Sequence, residues 1–374
     1  MNVVFSQVFP PENGGSGRWL FEAYSRFPIQ SFVMLVGLSE KSTNADADYP
    51  QFILRKNLFI GDRSFFSFRS FLGYCRVLRV LHETIKKHGA KEVHASRPLH
   101  EGLTTAILKL VRRFRFVLFV HGEDVNIATT SRKLRWSTAF TLARSDLIIT
   151  NSHFSKNLLL TDWKVPESKI RVVHPGVDIH FFTPGPKTRK HSPFTILTVG
   201  RLQKRKGHDI LIRAMAEIVS INSEIQYRIA GSGEERSTLD ILVAKHGLEK
   251  NVVFLGEISD LELLDEYRNC DLFVLPNRAN GKDIEGFGMV LLEAQACGKP
   301  VIAGASGGTT EAVSDQESGF VLPCEGTELL VNEVLSIMSD AELRKEMGLK
   351  ARSFASSNFS WDRCAELLHS AVSH

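Results

Sequence analysis

Short apolar runs alternate with amphipathic stretches along most of this chain, and this alternation limits the fold more than any other feature. The runs have the length and composition of buried strands, whereas many of the stretches between them have helical spacing. Such a pattern predicts parallel sheets with helices on both faces. Strands are predicted at residues 3–5, 32–36, 92–94, 116–120, 147–150, 170–173, 195–199, 226–230, 252–255, 272–275 and 301–303, and helices at residues 18–26, 72–87, 104–113, 211–219, 235–245, 261–268 and 289–297.

The pattern runs twice, and the 374 residues exceed what one hydrophobic core usually supports. We therefore predict an α/β protein of two Rossmann-like domains. A stretch rich in proline and charge, without periodicity, predicts a linker at residues 183–193. The first domain then covers residues 1–182 and the second covers residues 194–358.

Composition indicates a cytoplasmic protein. The five cysteines are scattered and form no C-x-x-C pair, which is typical of reduced thiols and not of a zinc site. The first residues read as a strand and not as a secretion signal, and no apolar run approaches the ~20 residues of a membrane span. Residues 1–180 hold 25 Lys and Arg against 15 Asp and Glu, a net charge of +10, whereas residues 181–374 hold 21 against 27, a net of −6. The basic half favours an anionic surface or substrate.

The segment DIEGFGMVLLEAQACGKP, residues 283–300, combines two carboxylates with the start of a helix. Glu285 lies in a glycine-rich turn, and Glu293 lies about one turn into the helix, which is predicted to end at Gly298 before Pro300. Amides at a helix start can bind phosphate, while carboxylates accept hydrogen bonds from hydroxyl groups. The pattern suits a polyhydroxylated phosphate ligand, although Glu293 alone also fits an ordinary surface charge.

A basic loop, GRLQKRKG, follows a predicted strand at residues 200–207. Arg201 and Lys206 suit a diphosphate, because a guanidinium can bind it bidentately and an ammonium adds a compact charge. Lys204 and Arg205 are interpreted as solvated loop residues, since most charge runs face water. Ligands of open α/β sheets bind beyond the carboxyl ends of strands, so this loop and the AGSG turn at Gly231 are expected at one edge.

The loop PPENGGSGRW, residues 10–19, places Gly14, Gly15 and Gly17 between a strand and a helix. Glycines there allow backbone amides to approach a phosphate closely. A tight strand-to-helix turn without any ligand explains them equally well. Their spacing is not the G-x-G-x-x-G of a dinucleotide fold, so the loop alone does not decide between the two.

Together these motifs resemble the retaining GT-B glycosyltransferases of family four, and especially bacterial GDP-mannose-dependent enzymes similar to phosphatidylinositol mannosyltransferases. The likeness covers nearly the whole chain and includes GGSGR, FVHGED, ARSDLIITNSHFSKNLL, VVHPGVD, TVGRLQKRKGHDILIRAM, YRIAGSGEE, VVFLGEIS and the block from residue 283. It implies two Rossmann-like domains that face each other across a cleft, the first for the acceptor and the second for the donor. It also implies that a C-terminal helix at residues 359–374 packs back on the first domain.

The resemblance implies roles for individual residues. Glu285 would hold the hydroxyls of the transferred sugar, Glu293 the ribose, and Arg201 and Lys206 the diphosphate as it leaves. The other donor-binding residues would be Gly14, Gly15, Gly231, Gly256, Glu257, Ile258, Gly286, Phe287, Gly288, Met289 and Val290. The acceptor side would hold Asn13, His121, Glu123 and Asp124, and His121 is also a catalytic candidate. A hydrogen-bonded structural role fits His121 equally well.

In this family the reaction is drawn as a front-face substitution with retention, in which the departing diphosphate accepts the acceptor's proton. Cations and a helix start would then stabilise the leaving group, so the resemblance implies no cofactor and no essential metal. Asp46 and Asp48 form a D-x-D, but they lie in a polar stretch and are interpreted as surface-loop residues. The H-G-E-D sequence at residues 121–124 differs from the H-G-H-E of close relatives, which leaves the acceptor class open.

The expected partners are a nucleotide diphosphate sugar, a lipid-linked or glycan acceptor and, as a candidate, an anionic membrane surface; no nucleic acid is expected. The aromatic and arginine-rich residues 63–79 suit the inner face of a membrane, or equally the packing of a loop and helix on the first domain. GDP-mannose is the leading donor. The alternatives are transfer of GlcNAc, glucose or galactose from UDP-sugars, a nucleotide-sugar epimerase of the same fold, and a binding module without catalysis.

Overall fold

The computed structural model describes residues 1–12, 14–39, 46–61, 68–186 and 193–373. The chain divides into two compact units, Met1–Pro175 with Trp361–His374, and Gly176–Ser360. Each unit contains a parallel sheet and the helices that pack against it, which confirms the predicted α/β class with two Rossmann-like domains. The unit boundary lies at Pro175, ahead of the predicted linker, and residues 187–192 of that linker lie outside the described residues.

The first unit is built on a seven-stranded parallel sheet. Its strands are β1 (Asn2–Ser6), β2 (Phe32–Gly37), β3 (Phe52–Lys56), β4 (Glu92–Ala95), β5 (Arg115–Val120), β6 (Leu147–Thr150) and β7 (Ile170–Val172), and they pair in the order β3-β2-β1-β4-β5-β6-β7. Strands β2 and β6 are buried along their whole length, as expected where both faces of a sheet are covered. The order reverses between β1 and β4, so the loops after these two strands flank the crevice in which such sheets bind ligands.

Helices connect the strands of the first unit. They are α1 (Gly15–Ser25), α2 (Phe68–His88), α3 (Leu103–Leu108), α4 (Glu123–Ala128), α5 (Arg132–Arg144) and α6 (His153–Thr161). Helix α3 packs against both α2 and α5, which places these three helices in one layer. A buried cluster that includes Val3, Phe5, Phe116 and Leu118 forms the core beneath them.

The second unit is built on a six-stranded parallel sheet. Its strands are β8 (Phe194–Val199), β9 (Ile225–Ala230), β10 (Val252–Gly256), β11 (Leu272–Leu275), β12 (Val301–Gly304) and β13 (Gly319–Leu322), in the order β10-β9-β8-β11-β12-β13. Its helices are α7 (His208–Ile221), α8 (Arg236–Lys245), α9 (Asp260–Asn269), α10 (Met289–Ala296), α11 (Glu328–Ser339) and α12 (Ala341–Asn358). Here the order reverses between β8 and β11, which places the second crevice beside the loops after those strands.

The chain returns to the first unit at its C-terminus. Helix α13 (Trp361–Ser373) packs against α1, where the indole N–H of Trp19 donates to Cys364 Sγ at 3.3 Å. Arg26 Nε at the end of α1 also lies 2.7 Å from Asp362 Oδ1. Among the helices of the described residues, none is both long and apolar enough to cross a bilayer.

Asp46 of the D-x-D sequence forms an ion pair with a side chain of the same unit. Arg55 Nε lies 2.6 Å from Asp46 Oδ2, and Arg55 Nη2 lies 2.8 Å from Asp46 Oδ1. This bidentate arrangement uses both carboxylate oxygens of Asp46. The pair therefore gives the first aspartate of the motif a structural partner on the adjacent strand β3.

Candidate active site

Two loops meet at the point where the strand order of the second sheet reverses. The first, residues 200–207, follows β8, and the second, residues 276–288, follows the neighbouring strand β11. Gly207 is left-handed with φ +73°, and a Cβ there would lie 1.9 Å from the carbonyl oxygen of Pro276. Arg278 N–H donates to Arg205 O at 2.9 Å. The loops are thus in direct backbone contact, and only glycine fits at position 207.

Glu285 lies at the centre of this contact. Lys206 Nζ lies 2.6 Å from Glu285 Oε2, and Arg205 Nη1 donates to the same oxygen. The structure therefore brings together two residues of the predicted donor site, Glu285 and Lys206. It adds a third charged group, Arg205, that the sequence interpretation had set aside.

The charge state of Glu285 follows from its neighbours. Its side chain is 13% exposed, and burial alone would raise the pKa of the carboxyl. The positive charges of Lys206 and Arg205 outweigh burial and hold the pKa of Glu285 below its usual value. The group is therefore an ionised acceptor for hydrogen bonds at neutral pH.

The interpretation of Arg205 as a solvated loop residue is wrong. Its side chain is 5% exposed, and its Nε lies 3.2 Å from Asp283 Oδ1 while Nη1 contacts Glu285. Burial raises the pKa of Asp283, although the charge of Arg205 opposes that effect. Lys204, in contrast, is exposed as expected. Arg205 thus connects the two carboxylates of the D-x-E sequence to the basic loop.

This difference between neighbours gives a first prediction. Arg205→Gln removes a cation that two carboxylates contact, and breaking such a buried arrangement is expected to cost about 3 kcal/mol of unfolding free energy. Lys204→Gln, the matched control in the same loop, is expected to change it by less than about 0.5 kcal/mol. Urea unfolding of both variants measures the difference, and equal effects would contradict the structural role of Arg205.

The turn after β12 holds the backbone of Glu285. Gly308 N–H donates to Glu285 O at 3.0 Å, and Gly307 is left-handed with φ +68°. A Cβ at Gly307 would lie 1.9 Å from the same carbonyl oxygen. The turn after β12 therefore fixes the position of Glu285, and it depends on glycine to do so.

Arg201 supplies the uncompensated charge of the site. Its side chain is exposed, and within the described residues it makes no side-chain hydrogen bond or ion pair. Its charge nevertheless acts to lower the pKa of the Asp283 carboxyl, so it lies within electrostatic reach of the cluster. Three cations therefore stand against the two carboxylates, Asp283 and Glu285, which leaves a net positive site for an anion.

The loop after Glu285 leads directly into α10. Gly288 precedes the helix in a left-handed conformation with φ +88°, so Met289 and Val290 form its first turn, as predicted. The helix ends where Gly298 N–H donates to Gln295 O at 2.8 Å. Phe287 is buried in the core of the unit, which anchors the turn that begins at Gly286.

Glu293 lies on the second turn of α10 and has a defined partner. Tyr267 Oη, on α9, donates to Glu293 Oε2 at 2.8 Å. Burial, with the nearby Glu293 charge, raises the pKa of Tyr267 well above its usual value, so the phenol remains a donor. One oxygen of Glu293 is held in this way, and the carboxylate has a fixed orientation.

The turns after β9 and β10 extend the same edge of the sheet. Gly231 N–H donates to Gly256 O at 2.7 Å, and a Cβ at Gly231 would lie 2.0 Å from Gly200 O. Ser232 Oγ donates to Glu257 Oε1 at 2.6 Å, so this carboxylate is also oriented. Ile258 follows it, partly buried. These residues border the basic loop through backbone contacts.

In the first unit, the glycine-rich loop begins α1. Gly14 is the residue before the helix, with extended backbone, and Gly15 is its first residue. A Cβ at Gly17 would lie 2.9 Å from Val8 O, so close packing of the helix on its own loop requires that glycine. Asn13 lies outside the described residues. Packing therefore explains one of the three glycines, and a ligand is not needed for it.

His121 follows β5 and is buried in the first unit. Its Nε2 lies 2.8 Å from Ser96 O, and its ring packs edge-on against Trp19 at 5.4 Å between centroids. Burial, reinforced by the charge of Arg97, lowers the pKa of His121 to about 4. Because a carbonyl can only accept, Nε2 carries the proton and Nδ1 is an acceptor. His121 can therefore accept a hydrogen bond from a hydroxyl, but it is neutral at pH 7.

A second prediction follows for His121. Its Cε1 proton signal in an NMR titration is expected to stay constant from pH 8 to about pH 5 and to shift only near pH 4. An unfolded histidine binds a proton near pH 6.5, so the unfolded state gains protons first on acidification. His121 therefore contributes stability that is lost as pH falls from about 6.5 to 4. A His121 midpoint near 6.5 would contradict the buried, neutral assignment.

The two acidic residues after His121 differ in their surroundings. Asp124 accepts from its own loop: Val125 N–H donates to Oδ1 at 2.8 Å, and His121 N–H donates at 3.2 Å. Burial raises the pKa of Asp124 despite these bonds. Glu123 lies beside it in the first turn of α4 and is partly buried. Asp124 thus closes the turn after β5, in addition to any role toward an acceptor.

Several polar residues at these crevices were not predicted. In the second unit they are Arg205, Asp283 and Ser232. In the first unit Arg97, after β4, donates from Nη2 to Ser16 Oγ on α1 at 2.5 Å. Each of these residues follows a strand at the point where the strand order of its sheet reverses, or the strand next to it. The position of that reversal is the signal that could have indicated them.

Comparison with known proteins shows which family the chain belongs to. Residues 183–354 match the family model described as glycosyl transferases group 1, and residues 33–181 match the one described as glycosyltransferase family 4. A GDP-mannose-dependent alpha-(1-6)-phosphatidylinositol monomannoside mannosyltransferase from Mycolicibacterium smegmatis is 34% identical over 273 residues, 68% of this chain and 70% of that protein. A GDP-mannose-dependent monoacylated alpha-(1-6)-phosphatidylinositol monomannoside mannosyltransferase from Corynebacterium glutamicum is 37% identical over 205 residues, 52% of this chain and about half (53%) of that relative.

Solved structures share the whole fold. HepE from Anabaena, in complex with UDP, superimposes with a TM-score of 0.82 over 100% of both chains at 22% identity. Sucrose-phosphate synthase from Thermosynechococcus elongatus gives 0.83 over 100% of this chain and 98% of the other, at 21% identity. The fold is that of the GT-B glycosyltransferases. With the two family models and the relatives above, the chain belongs to glycosyltransferase group 1/family 4, and the predicted family is confirmed.

Proposed function

We propose that this chain is a retaining glycosyltransferase that moves an α-linked sugar, with mannose as the leading candidate, from a nucleoside diphosphate sugar to a lipid-linked or glycan acceptor. The observation that carries the proposal is the cluster in which Lys206 Nζ lies 2.6 Å from Glu285 Oε2 beside the exposed Arg201. It combines cations for a diphosphate with an ionised acceptor for sugar hydroxyls. The names of the mannosyltransferase relatives support mannose and GDP.

The ion pairs suggest how the donor would be bound. Lys206 and Arg205 both contact Glu285 and balance its charge. A diphosphate carries more negative charge than one carboxylate, so Lys206 would turn to it together with Arg201. Glu285 would then be released from Lys206 and would accept hydrogen bonds from the sugar hydroxyls. Arg205 would keep Glu285 and Asp283 in place during this exchange.

Transfer requires stabilisation of the leaving diphosphate. As the anomeric bond breaks, negative charge grows on the β-phosphate, where Arg201, Lys206 and the amides at the start of α10 would act on it. The diphosphate would accept the proton of the acceptor hydroxyl as the new bond forms on the same face. Glu293, held by Tyr267, would bind the ribose and would take no part in the transfer step itself.

We infer that the base of the donor nucleotide is guanine, because a carboxylate would lie beside it. The family resemblance implies that the base would lie beside Gly256–Ile258, where Ser232 orients Glu257. A carboxylate can accept from N1–H and the exocyclic amine of guanine together, whereas uracil presents a single N–H donor. Adenine offers an amine but no neighbouring N–H. Glu257 therefore favours GDP-sugars over UDP- and ADP-sugars.

A ligand screen tests the donor. Thermal unfolding with GDP-mannose, UDP-glucose, UDP-N-acetylglucosamine, UDP-galactose and ADP-glucose is expected to show the largest upward shift with GDP-mannose, since a ligand that binds only the native state stabilises it. Glu257→Gln should reduce the preference for GDP over UDP. Release of GDP that increases with added acceptor then distinguishes a transferase from an epimerase and from a binding module. No shift with any of the donors would contradict the proposal.

We also propose that the protein acts in the cytoplasm at the inner face of the membrane. Of the aromatic and arginine-rich residues 63–79, the structure describes residues 68–79, which form the first half of α2. Phe71 and Leu72 are 61% and 50% exposed, whereas Tyr74 is buried in the core. Exposed apolar side chains beside arginines suit a lipid headgroup region. The first part of the segment, residues 62–67, lies outside the described residues.

A further inference from the structure

Helix α5 buries the small side chains of its sequence, RKLRWSTAFTLAR. Ser137, Thr138, Thr141 and Leu142 face the interior, and a Cβ at Gly102 would lie 2.8 Å from Thr141 Cγ2. The hydroxyls of Ser137 and Thr141 donate to backbone carbonyls four residues earlier, at 3.0 and 2.9 Å. The small side chains on this face therefore allow α5 to pack closely on the segment that leads into α3.

Trp136 of α5 points the other way, whereas Phe140 is partly buried against the core of the unit. Trp136 is 70% exposed, and its ring stacks on Phe140 with 5.9 Å between centroids and 13° between planes. Close packing explains why small residues face inward, but it does not require an aromatic residue at an exposed position, where lysine or glutamate is more usual. A strongly exposed tryptophan that stacks on a partly buried phenylalanine indicates a contact surface.

Positive charge surrounds this aromatic pair. The helix contains Arg132, Lys133, Arg135 and Arg144, and no acidic residue. Arg144 lies over the Phe140 ring at 5.4 Å, and Arg135 lies 5.8 Å from the Trp163 ring. Within the described residues, the side chains of Arg132, Arg135 and Arg144 form no ion pair. Arg132 and Arg135 also lie at the positive end of the helix dipole, where cations are unfavourable for the fold itself.

We propose that the surface formed by Arg132, Arg135, Trp136, Phe140 and Arg144, termed the α5 surface, docks on an anionic lipid bilayer. Uncompensated arginines complement anionic headgroups, and indole and phenyl rings partition into the interface between headgroups and acyl chains. The α5 surface is distinct from the α2 residues considered above. Helix α3 packs against both helices, so the two lie in one layer of the first unit.

The connections between parallel strands determine where helices α2 and α5 begin. Helices α2 and α5 both lead back to strands of one parallel sheet, so both begin near the carboxyl ends of the strands. Phe71 and Trp136 lie within the first two turns of their helices, toward the edge at which His121 follows β5. Docking there would place the bilayer beside the crevice of the first unit. The inference deepens the proposed membrane association, but it does not depend on the identity of the donor.

Intrinsic fluorescence tests the α5 surface directly. Of the four tryptophans, Trp19 and Trp361 are buried, Trp163 is partly buried, and only Trp136 is strongly exposed. Phosphatidylglycerol–phosphatidylcholine vesicles are expected to shift the emission to the blue, and brominated lipid to quench it. Both effects should disappear in Trp136→Phe. Pure phosphatidylcholine vesicles should give neither effect.

Vesicle co-sedimentation of paired variants measures the contribution of charge. Arg132→Gln with Arg135→Gln is expected to weaken binding to the phosphatidylglycerol vesicles about twentyfold, since each basic residue near such a surface contributes about fivefold. Lys245→Gln with Lys250→Gln, an equal charge change at exposed positions of the second unit, is expected to weaken binding by less than about twofold. A cooperative thermal unfolding transition and an unchanged far-UV circular dichroism spectrum in all variants show that they are folded.

Several results would overturn the proposal. These are no vesicle binding by the unaltered chain, binding that the α5 variants leave unchanged, equal binding to neutral vesicles, or a self-association that Trp136→Ser abolishes. Tighter binding of the α5 surface to a DNA or RNA duplex than to the vesicles would overturn it as well. If Phe71→Ser with Leu72→Ser abolishes vesicle binding while the α5 variants do not, membrane association through α2 stands and the α5 surface is excluded. Failure of the donor screen would leave the vesicle result unaffected.

Discussion

Glu285→Gln is expected to reduce the turnover number about a thousandfold with GDP-mannose as donor. An amide of the same shape cannot balance the charges of Arg205 and Lys206, and it accepts hydrogen bonds from sugar hydroxyls more weakly than a carboxylate. Loss of one preorganised electrostatic group at an active site typically costs about a hundredfold to a thousandfold in rate. Release of GDP in the presence of acceptor measures the effect.

Glu293→Gln is the matched control on the same helix segment. Its carboxylate is held by Tyr267 and is proposed to bind the ribose, so the variant should raise the KM for the donor about tenfold and change the turnover number little. The contrast between the Glu285 and Glu293 variants distinguishes a carboxylate that acts on the transferred sugar from one that binds the nucleoside. Turnover by Glu285→Gln within about tenfold of the unaltered chain would exclude Glu285 from the chemistry.

Gly307→Ala is expected to lower the unfolding free energy by about 4 kcal/mol and to abolish donor binding. A Cβ at this left-handed residue would lie 1.9 Å from Glu285 O, so the turn that holds Glu285 must move. Both the strained backbone and the displaced carbonyl contribute to the cost. Chemical denaturation and a thermal shift with GDP measure the two effects.

Gly281→Ala separates the cost of backbone strain from the cost of the steric contact that a Cβ at Gly307 makes with Glu285 O. Gly281 is left-handed as well, with φ +62°, but nothing lies within 4 Å of a Cβ built there. It should therefore cost only about 1 kcal/mol, which is the strain of the backbone alone, and leave GDP binding intact. If the two variants lose the same stability and both bind GDP, the support that Gly307 gives to Glu285 is not important.

Most strands could be predicted because they are buried and apolar. The eleven predicted strands all occur, and no end is shifted by more than one residue. Strands β3 and β13 were not predicted, and both lie at sheet edges. The sequence of β3, FILRK, is partly exposed and carries two charges, and β13 has only four residues, beginning with Gly319. Edge strands bury less surface, so their sequences lack the long apolar run that identifies an inner strand.

Helix α5 shows why periodicity misses some helices. Its interior face holds hydroxyl residues, whereas Trp136 faces solvent and Phe140 is only partly buried, so its apolar residues do not line one face. A search for apolar residues on one face therefore finds no signal there. Packing against Gly102 determines the small residues inside, and that contact joins segments distant in sequence. The sequence alone does not reveal it.

The candidate site was predictable in its motifs but not in its network. Spacing singled out Glu285 and Lys206, and their contact at 2.6 Å is consistent with that choice. Spacing could not separate Arg205 from Lys204, because neighbouring residues of a basic loop look alike until one is buried. Burial of Arg205 depends on Asp283 and on the loop after β11, about 80 residues away. Such long-range ion pairs lie beyond what a local pattern can indicate.

Titration calorimetry with GDP tests the central claim most directly. The claim is that the cations after β8 grip a nucleoside diphosphate beside Glu285. The unaltered chain should bind GDP with an affinity that falls as salt rises, and Arg201→Gln with Lys206→Gln should weaken binding at least about a hundredfold. Lys204→Gln should leave the affinity within about twofold. Undiminished GDP binding by the Arg201 and Lys206 double variant would contradict the account.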